Sequence, residues 1–270
     1  MKVFGSLIEK KYVKTSKSAV VIFIILRLLI IFCTIIEFIH GNIINVLLSI
    51  AALILYTFPT LVQEKLKFEF PNTFEVVIYL FIFSSVVLGE INMFYIMIPY
   101  WDTILHFLSG FLCAGFGFSL FELCNKEKTS KDITIVFTVL VSFCFSITVG
   151  VIWEVVEYTA DSIIRVDMQK GSIVKDIASI ELNPVKDNSS LKINNIVETD
   201  IKTADGNEFI IYNGYLDVGL SDTMKDLILD MLGASIFCIF GIVYSTNRDN
   251  NKKRFKFASL FIPKTNKNVN

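Results

Sequence analysis

Six apolar stretches of about 20 residues constrain this chain more than any other feature, because that length is what a helix needs to cross a lipid bilayer. They cover residues 19–39, 43–63, 74–97, 102–122, 133–158 and 222–245. The fold class they predict is all-α: a polytopic membrane helix bundle of about six transmembrane helices. Composition agrees. Hydrophobic residues make up 53% and charged residues 19%, below the roughly 25% of soluble domains. The net charge of −1 gives no reason to expect a nucleic-acid partner. The first apolar run has no A-x-A-like exit and is expected to stay as a signal anchor.

Charge placement orients the spans. Lys2, Lys10, Lys11, Lys14 and Lys17 precede the first, and Lys65 and Lys67 follow the second. Lys126, Lys128 and Lys131 follow the fourth, and the tail after the sixth carries Arg248, Lys252, Lys253, Arg254, Lys256, Lys264 and Lys267. The loops after spans one and three have no Lys or Arg. Cytoplasmic loops carry the excess of Lys and Arg, so both termini are expected in the cytoplasm of a bacterial cell, with the protein in its inner membrane. The domain plan is a cytoplasmic segment at 1–18, five spans within 19–161, an extracytoplasmic insert at 162–220, a sixth span at 221–246 and a basic tail at 247–270. Asp205-Gly206 in the insert is a turn dipeptide flanked by β-like sequence, which predicts a hairpin. The cysteines Cys33, Cys113, Cys124, Cys144 and Cys238 are odd in number and lie in or beside apolar sequence. They are expected as small buried hydrophobes, not disulfides or soft-metal ligands.

Three polar signatures interrupt this apolar background. Asp102 and His106 stand at i and i+4. Glu154, Glu157 and Asp161 stand at i, i+3 and i+7. Asp222, Asp226 and Asp230 stand at i, i+4 and i+8. On a helix each set lies along one face. Under the expected topology span four starts, span five ends and span six starts outside, so the three sets meet at the extracytoplasmic side. Glu37, His40 and Glu90 fall on that side too. Ionisable residues in spanning helices are costly and mark functional sites by default.

Carboxylates one helical turn apart are roughly 6 Å from each other, and at an effective dielectric near 20 such a pair repels by roughly 3 kcal/mol. Seven together need cations, basic partners or protons. A divalent metal is the economical solution. Oxygen-rich ligation with one imidazole suits Mg²⁺, Mn²⁺ or Ca²⁺, and His106 leaves Zn²⁺ or Fe²⁺ open. The candidate ligands are Asp102, His106, Glu154, Asp226 and Asp230, with Glu157 as catalytic base and His106 as a second catalytic candidate. Asp161, Asp222 and Glu90 are further site candidates. Helix capping is the competing explanation for Asp102 and Asp222, and solvation for Asp161. No P-loop, G-x-G-x-x-G or H-E-x-x-H occurs.

At these residues the chain resembles the YjdF-like family of uncharacterised bacterial inner-membrane proteins. Pro99-Tyr100-Trp101-Asp102, His106 and Gly110 carry the resemblance, with Trp153-Glu154, Glu157-Tyr158, Asp161, Met168-Gln169, Asp222-Thr223, Asp226, Asp230 and Gly233-Ala234. The resemblance implies a small polytopic protein with a polar cluster drawn from three helices, and it adds Gln169 to the site candidates. It carries no established activity. The insert at 171–216 is longer than the connection the resemblance leads one to expect, and it is a candidate protein-binding element. Three function classes therefore stay open. The first is a metal-dependent site acting on a lipid or lipid-linked substrate. The second is a transporter or ion- and proton-handling protein, and the third a non-catalytic scaffold or sensor. Membrane lipids are the expected surroundings in all three.

Overall fold

Among the described residues six helices are long and apolar enough to cross a membrane: Val20–His40, Ile43–Lys65, Asn72–Ile91, Trp101–Glu122, Thr134–Ile164 and Leu220–Thr246. The structure, a computed structural model, describes residues 17–66, 68–124, 131–247, 260 and 264–265. The lysine-rich segment before residue 17, the loop 125–130 and most of the basic tail lie outside the described residues. The chain divides into two units, residues 1–150 with 229–270 and residues 151–228.

In the first unit, α1 (Lys17–His40) and α2 (Ile43–Leu55) form a hairpin. It closes at Gly41, whose φ of +78° suits a residue without Cβ. The second span is not one straight helix. It stops at Tyr56-Thr57 and restarts as α3 (Phe58–Leu66), with Pro59 in the first turn, where its missing N–H costs nothing. The third span begins as α4 (Asn72–Ile82) and continues as a π-helical segment, Phe83–Ile91. The apolar pattern reads as one helix to residue 97, but the helix ends sooner. Asn92 folds its amide back to donate to the Val87 carbonyl at 2.6 Å, and Met93 turns into the left-handed region at φ +59°. A short helix, α5 (Phe94–Met97), then leads into α6 (Trp101–Cys124).

α6 is the most buried of the spans. On one side its Leu112 packs with Phe70 and Phe74 of the α4 entry. On another its Phe111, Ala114 and Phe118 pack with Ala234 and Phe237 of α8 (Leu220–Asn247). A separate cluster of Leu26, Ile30, Ala52, Tyr56, Tyr79, Ile82 and Val87 joins α1, α2, α4 and the π-segment. Small residues set how closely α6 meets its neighbours, as they do wherever membrane helices touch through their backbones. A Cβ built on Gly233 would lie 2.0 Å from the Phe107 carbonyl oxygen, and one built on Gly110 would lie 2.1 Å from the Asp230 carbonyl oxygen. From α7 (Lys131–Ile164), Ser146 donates its hydroxyl to the Gly110 carbonyl at 2.8 Å.

The second unit holds the end of α7, the insert and the start of α8. Phe68–Glu69 in the first unit is a two-residue strand, β1, and the insert is a set of antiparallel strand pairs. β2 (Ser172–Val174) pairs with β7 (Tyr215–Asp217) at its root, and β3 (Ile177–Ser179) pairs with β4 (Leu191–Ile193). β5 (Glu198–Lys202) and β6 (Glu208–Tyr212) form the hairpin that Asp205-Gly206 implied, with Lys202 opposite Glu208 at its tip. Its turn is closed by hydrogen bonds between Thr203 and Asn207, and Gly206 sits at φ +88°. The architecture is thus the helical bundle with a small β-containing insert that the sequence predicts.

Candidate functional site

The first turn of α6 leaves N–H groups without helical partners, and the helix dipole is positive there, so Asp102 is a favoured residue at that place. His106 follows one turn on, along the same face. Its Nε2 lies 3.7 Å from Asp102 Oδ1, and its Nδ1 lies 3.6 Å from Asp230 Oδ2. The imidazole therefore stands between two carboxylates, one beside each nitrogen. Both separations exceed hydrogen-bond length. His106 is 7% exposed and Asp230 2%.

Asp230 sits where three helices come close. Ser109, on α6 one turn after His106, donates its hydroxyl to Asp230 Oδ1. From α7, Gly150 makes room for the other oxygen: a Cβ there would lie 2.5 Å from Asp230 Oδ2. The backbone of Asp230 rests against Gly110. A glycine against the Asp230 backbone, another against its carboxylate, and a hydroxyl donating to that carboxylate amount to a shaped polar seat in an otherwise apolar bundle.

The remaining signature residues belong to the second unit. Glu154 and Glu157 are buried within α7, and the Trp153 indole N–H donates to Glu157 Oε1 at 2.8 Å. Asp222 opens α8. Lys225 reaches its Oδ1 at 3.4 Å and Asp226 Oδ1 at 3.7 Å. Asp226 is 1% exposed and one turn before Asp230 on the same helix. Asp161 has a main-chain role. Its two carboxylate oxygens accept the backbone N–H groups of Met168 and Gln169, at 2.7 and 2.9 Å. Gln169 then donates its amide to the Thr223 hydroxyl at 2.6 Å, and Gly219, at φ +116°, lies flat against it. In the insert, hydrogen bonds from the Ser221 region hold the Asp217 carboxyl below the usual carboxylate range, and those from Ser189 do the same for Asp187. Glu90 is exposed on the π-helical segment.

Asp102 and His106, with Asp230 beside the ring, give the first unit an Asp/His group with the donor chemistry to hold a metal ion. The structure also adds residues that the sequence reading does not select. Ser109 is one, and its i+7 spacing from Asp102, which puts it on the polar face, is its signal. Glu75, buried near the start of the third span and accepting the Tyr79 hydroxyl at 3.0 Å, has an i, i+4 pairing as its signal.

Residues 19–179 match the family described as "Predicted membrane protein (DUF2238)". The chain belongs to this family. The match runs from α1 into β3 and covers the Asp102–His106 and Glu154–Asp161 signatures, while Asp222, Asp226 and Asp230 lie beyond it. The DUF2238 description agrees with the uncharacterised membrane family the sequence resembles, and with six apolar helices it makes this an integral membrane protein. A protein of Thermotoga maritima named "Uncharacterized protein" is 31% identical over 116 residues. The alignment covers 42% of this chain, and the chain spans 58% of that relative's length. No solved structure matches.

Proposed function

We propose that this DUF2238 protein holds a divalent cation in a membrane-embedded site and uses it to activate water for hydrolysis or group transfer on a lipid or lipid-linked substrate. The observation that carries the reading is His106 between the carboxylates of Asp102 and Asp230, at 3.7 and 3.6 Å in a buried position. Asp102 and His106 serve as ligands, and Asp226 is assigned with them on its i, i+4 spacing from Asp230 along one helix face. Glu154 supplies a further oxygen. Glu157, oriented by the Trp153 indole, is the base that takes the proton from the activated water. The ion is Mg²⁺, Mn²⁺, Ca²⁺ or Zn²⁺ by its oxygen-and-imidazole donors. The site faces the outer leaflet of a bacterial inner membrane, with both termini in the cytoplasm, and the insert at 171–216 offers a surface to a protein partner.

Elemental mass spectrometry of the purified protein, wild type beside an Asp226→Asn/Glu154→Gln variant, tests this. One equivalent of metal in the wild type, lost in the variant, is the expected result. Absence of metal from well-folded protein of both kinds overturns it.

Glu75 favours a second reading, proton or ion handling. It is a buried carboxylate of span three, next to Phe74, which packs against Leu112 of α6 about two turns beyond His106. Chains of buried Asp, Glu and His make proton relays. Proton flux in proteoliposomes, abolished by Glu75→Gln, distinguishes this reading from the enzymatic one.

A further inference from the structure

We infer that Asp230 is not a ligand of the proposed ion but the residue that positions its imidazole ligand, with Ser109 holding Asp230 in place. The inference rests on the metal reading above and deepens it. A neutral imidazole has one N–H and one lone pair, and only the nitrogen with the lone pair can bind a cation. The two nitrogens of His106 face different carboxylates. Nε2 faces Asp102, the other α6 candidate, and Nδ1 faces Asp230. One ion cannot take both nitrogens of one ring. If the ion sits beside Asp102, the proton belongs on Nδ1, directed at Asp230 Oδ2.

The surroundings of Asp230 fit that task. Its Oδ1 already accepts the Ser109 hydroxyl, which leaves Oδ2 for the imidazole. Gly150, lacking a Cβ, brings the α7 backbone against Asp230 Oδ2 and bounds it on that side. The carboxylate is 2% exposed, so water does not compete for it. Carboxylates that accept the second N–H of a metal-bound histidine fix its tautomer and raise its basicity, and losing them lowers metal affinity by roughly 10–100-fold. α6 thus supplies both the ligand pair and, through Ser109, the clamp on the group that orients the imidazole.

The test uses full-length protein in lipid nanodiscs, labelled with ¹⁵N-histidine. The chain has two histidines, and His40→Gln assigns the signals. Zn²⁺ is the probe ion. The expected wild-type result is a single tautomer of His106 with the proton on Nδ1. In Asp230→Asn the tautomers should mix and Zn²⁺ affinity should fall by roughly 10–100-fold at unchanged stoichiometry. Ser109→Ala, which keeps the carboxylate, should shift both readouts the same way by less, and it carries the test if Asp230→Asn does not fold. A tautomer unmoved by either variant overturns the inference. So does loss of the bound equivalent in Asp230→Asn, which would make Asp230 a ligand. If wild-type protein takes up no Zn²⁺, the metal reading fails on its own, and the tautomer of the ion-free protein still decides what Asp230 does.

Discussion

Gly233→Ala is the sharpest test of how α6 and α8 are held together. Alanine is the better helix former by about 1 kcal/mol, so on propensity alone the variant should be more stable. The structure predicts the opposite sign. The added Cβ would lie 2.0 Å from the Phe107 carbonyl oxygen and 2.9 Å from the Phe111 nitrogen. Both are backbone atoms that cannot rotate away, so the helices must separate by about 1 Å to restore a normal contact. A gap of 0.5–1 Å forfeits roughly a quarter to a half of a contact's dispersion energy, at about 0.1–0.2 kcal/mol per atom pair. Phe111, Ala114, Phe118, Ala234 and Phe237 meet at this seam, and the equivalent of one large side chain makes roughly 40–60 such pairs. The loss is therefore about 2–3 kcal/mol, and the net destabilisation after the propensity gain about 1–2 kcal/mol. Thermal unfolding in detergent, followed by the exposure of Cys113 or Cys238 to a thiol reagent, measures it. A Gly233→Ala protein as stable as wild type, or more so, refutes the backbone contact.

Two other perturbations test the second unit. Asp161→Asn replaces a charged acceptor of two backbone N–H groups with a neutral one, which should cost about 1–2 kcal/mol locally; amide hydrogen exchange should quicken at Met168 and Gln169 and leave β5 and β6 unchanged. Acid should loosen the insert before the spans. Asp187, Asp205 and Asp217 have folded values held below the ordinary one by hydrogen bonds, so their contribution is present above about pH 4 and fades as pH falls through the folded values. Hydrogen exchange of residues 172–217 at pH 7 and at pH 3 reads this out, and equal protection at both refutes it.

The helices and the polar signatures are legible in the sequence because both follow from simple periodicities. A run of 20 apolar residues has few alternatives in lipid, and i, i+4 spacing puts Asp102 with His106 on one face whatever surrounds them. The Asp205-Gly206 hairpin is legible for a similarly local reason, since few other dipeptides suit its turn. What escapes the sequence depends on contacts far along the chain. The third span ends at Ile91 because the Asn92 side chain finds the Val87 carbonyl, a choice hydropathy does not record. The seat of Asp230 is made by what Gly110 and Gly150 lack, and a missing Cβ acquires meaning only once its neighbour is known. Asp161 has the spacing of a site residue and also the geometry to hold the chain at 168–169. Sequence shows the first and only coordinates show the second.

The strand pair at the root of the insert separates two design problems. Ser172 lies opposite Asp217 and Val174 opposite Tyr215, so the chain leaves for the insert and returns from it at fixed, adjacent points. The excursion is closed by this ladder, with Gln169 bonded to Thr223 beside it. Lengthening such a closed excursion is inexpensive, about 0.6 kcal/mol for each doubling of its length. Residues 175–214 are thus an exchangeable cassette on a standard socket. Evolution, or an engineer fusing a reporter there, can rewrite the cassette without re-solving the packing of the helices that carry it.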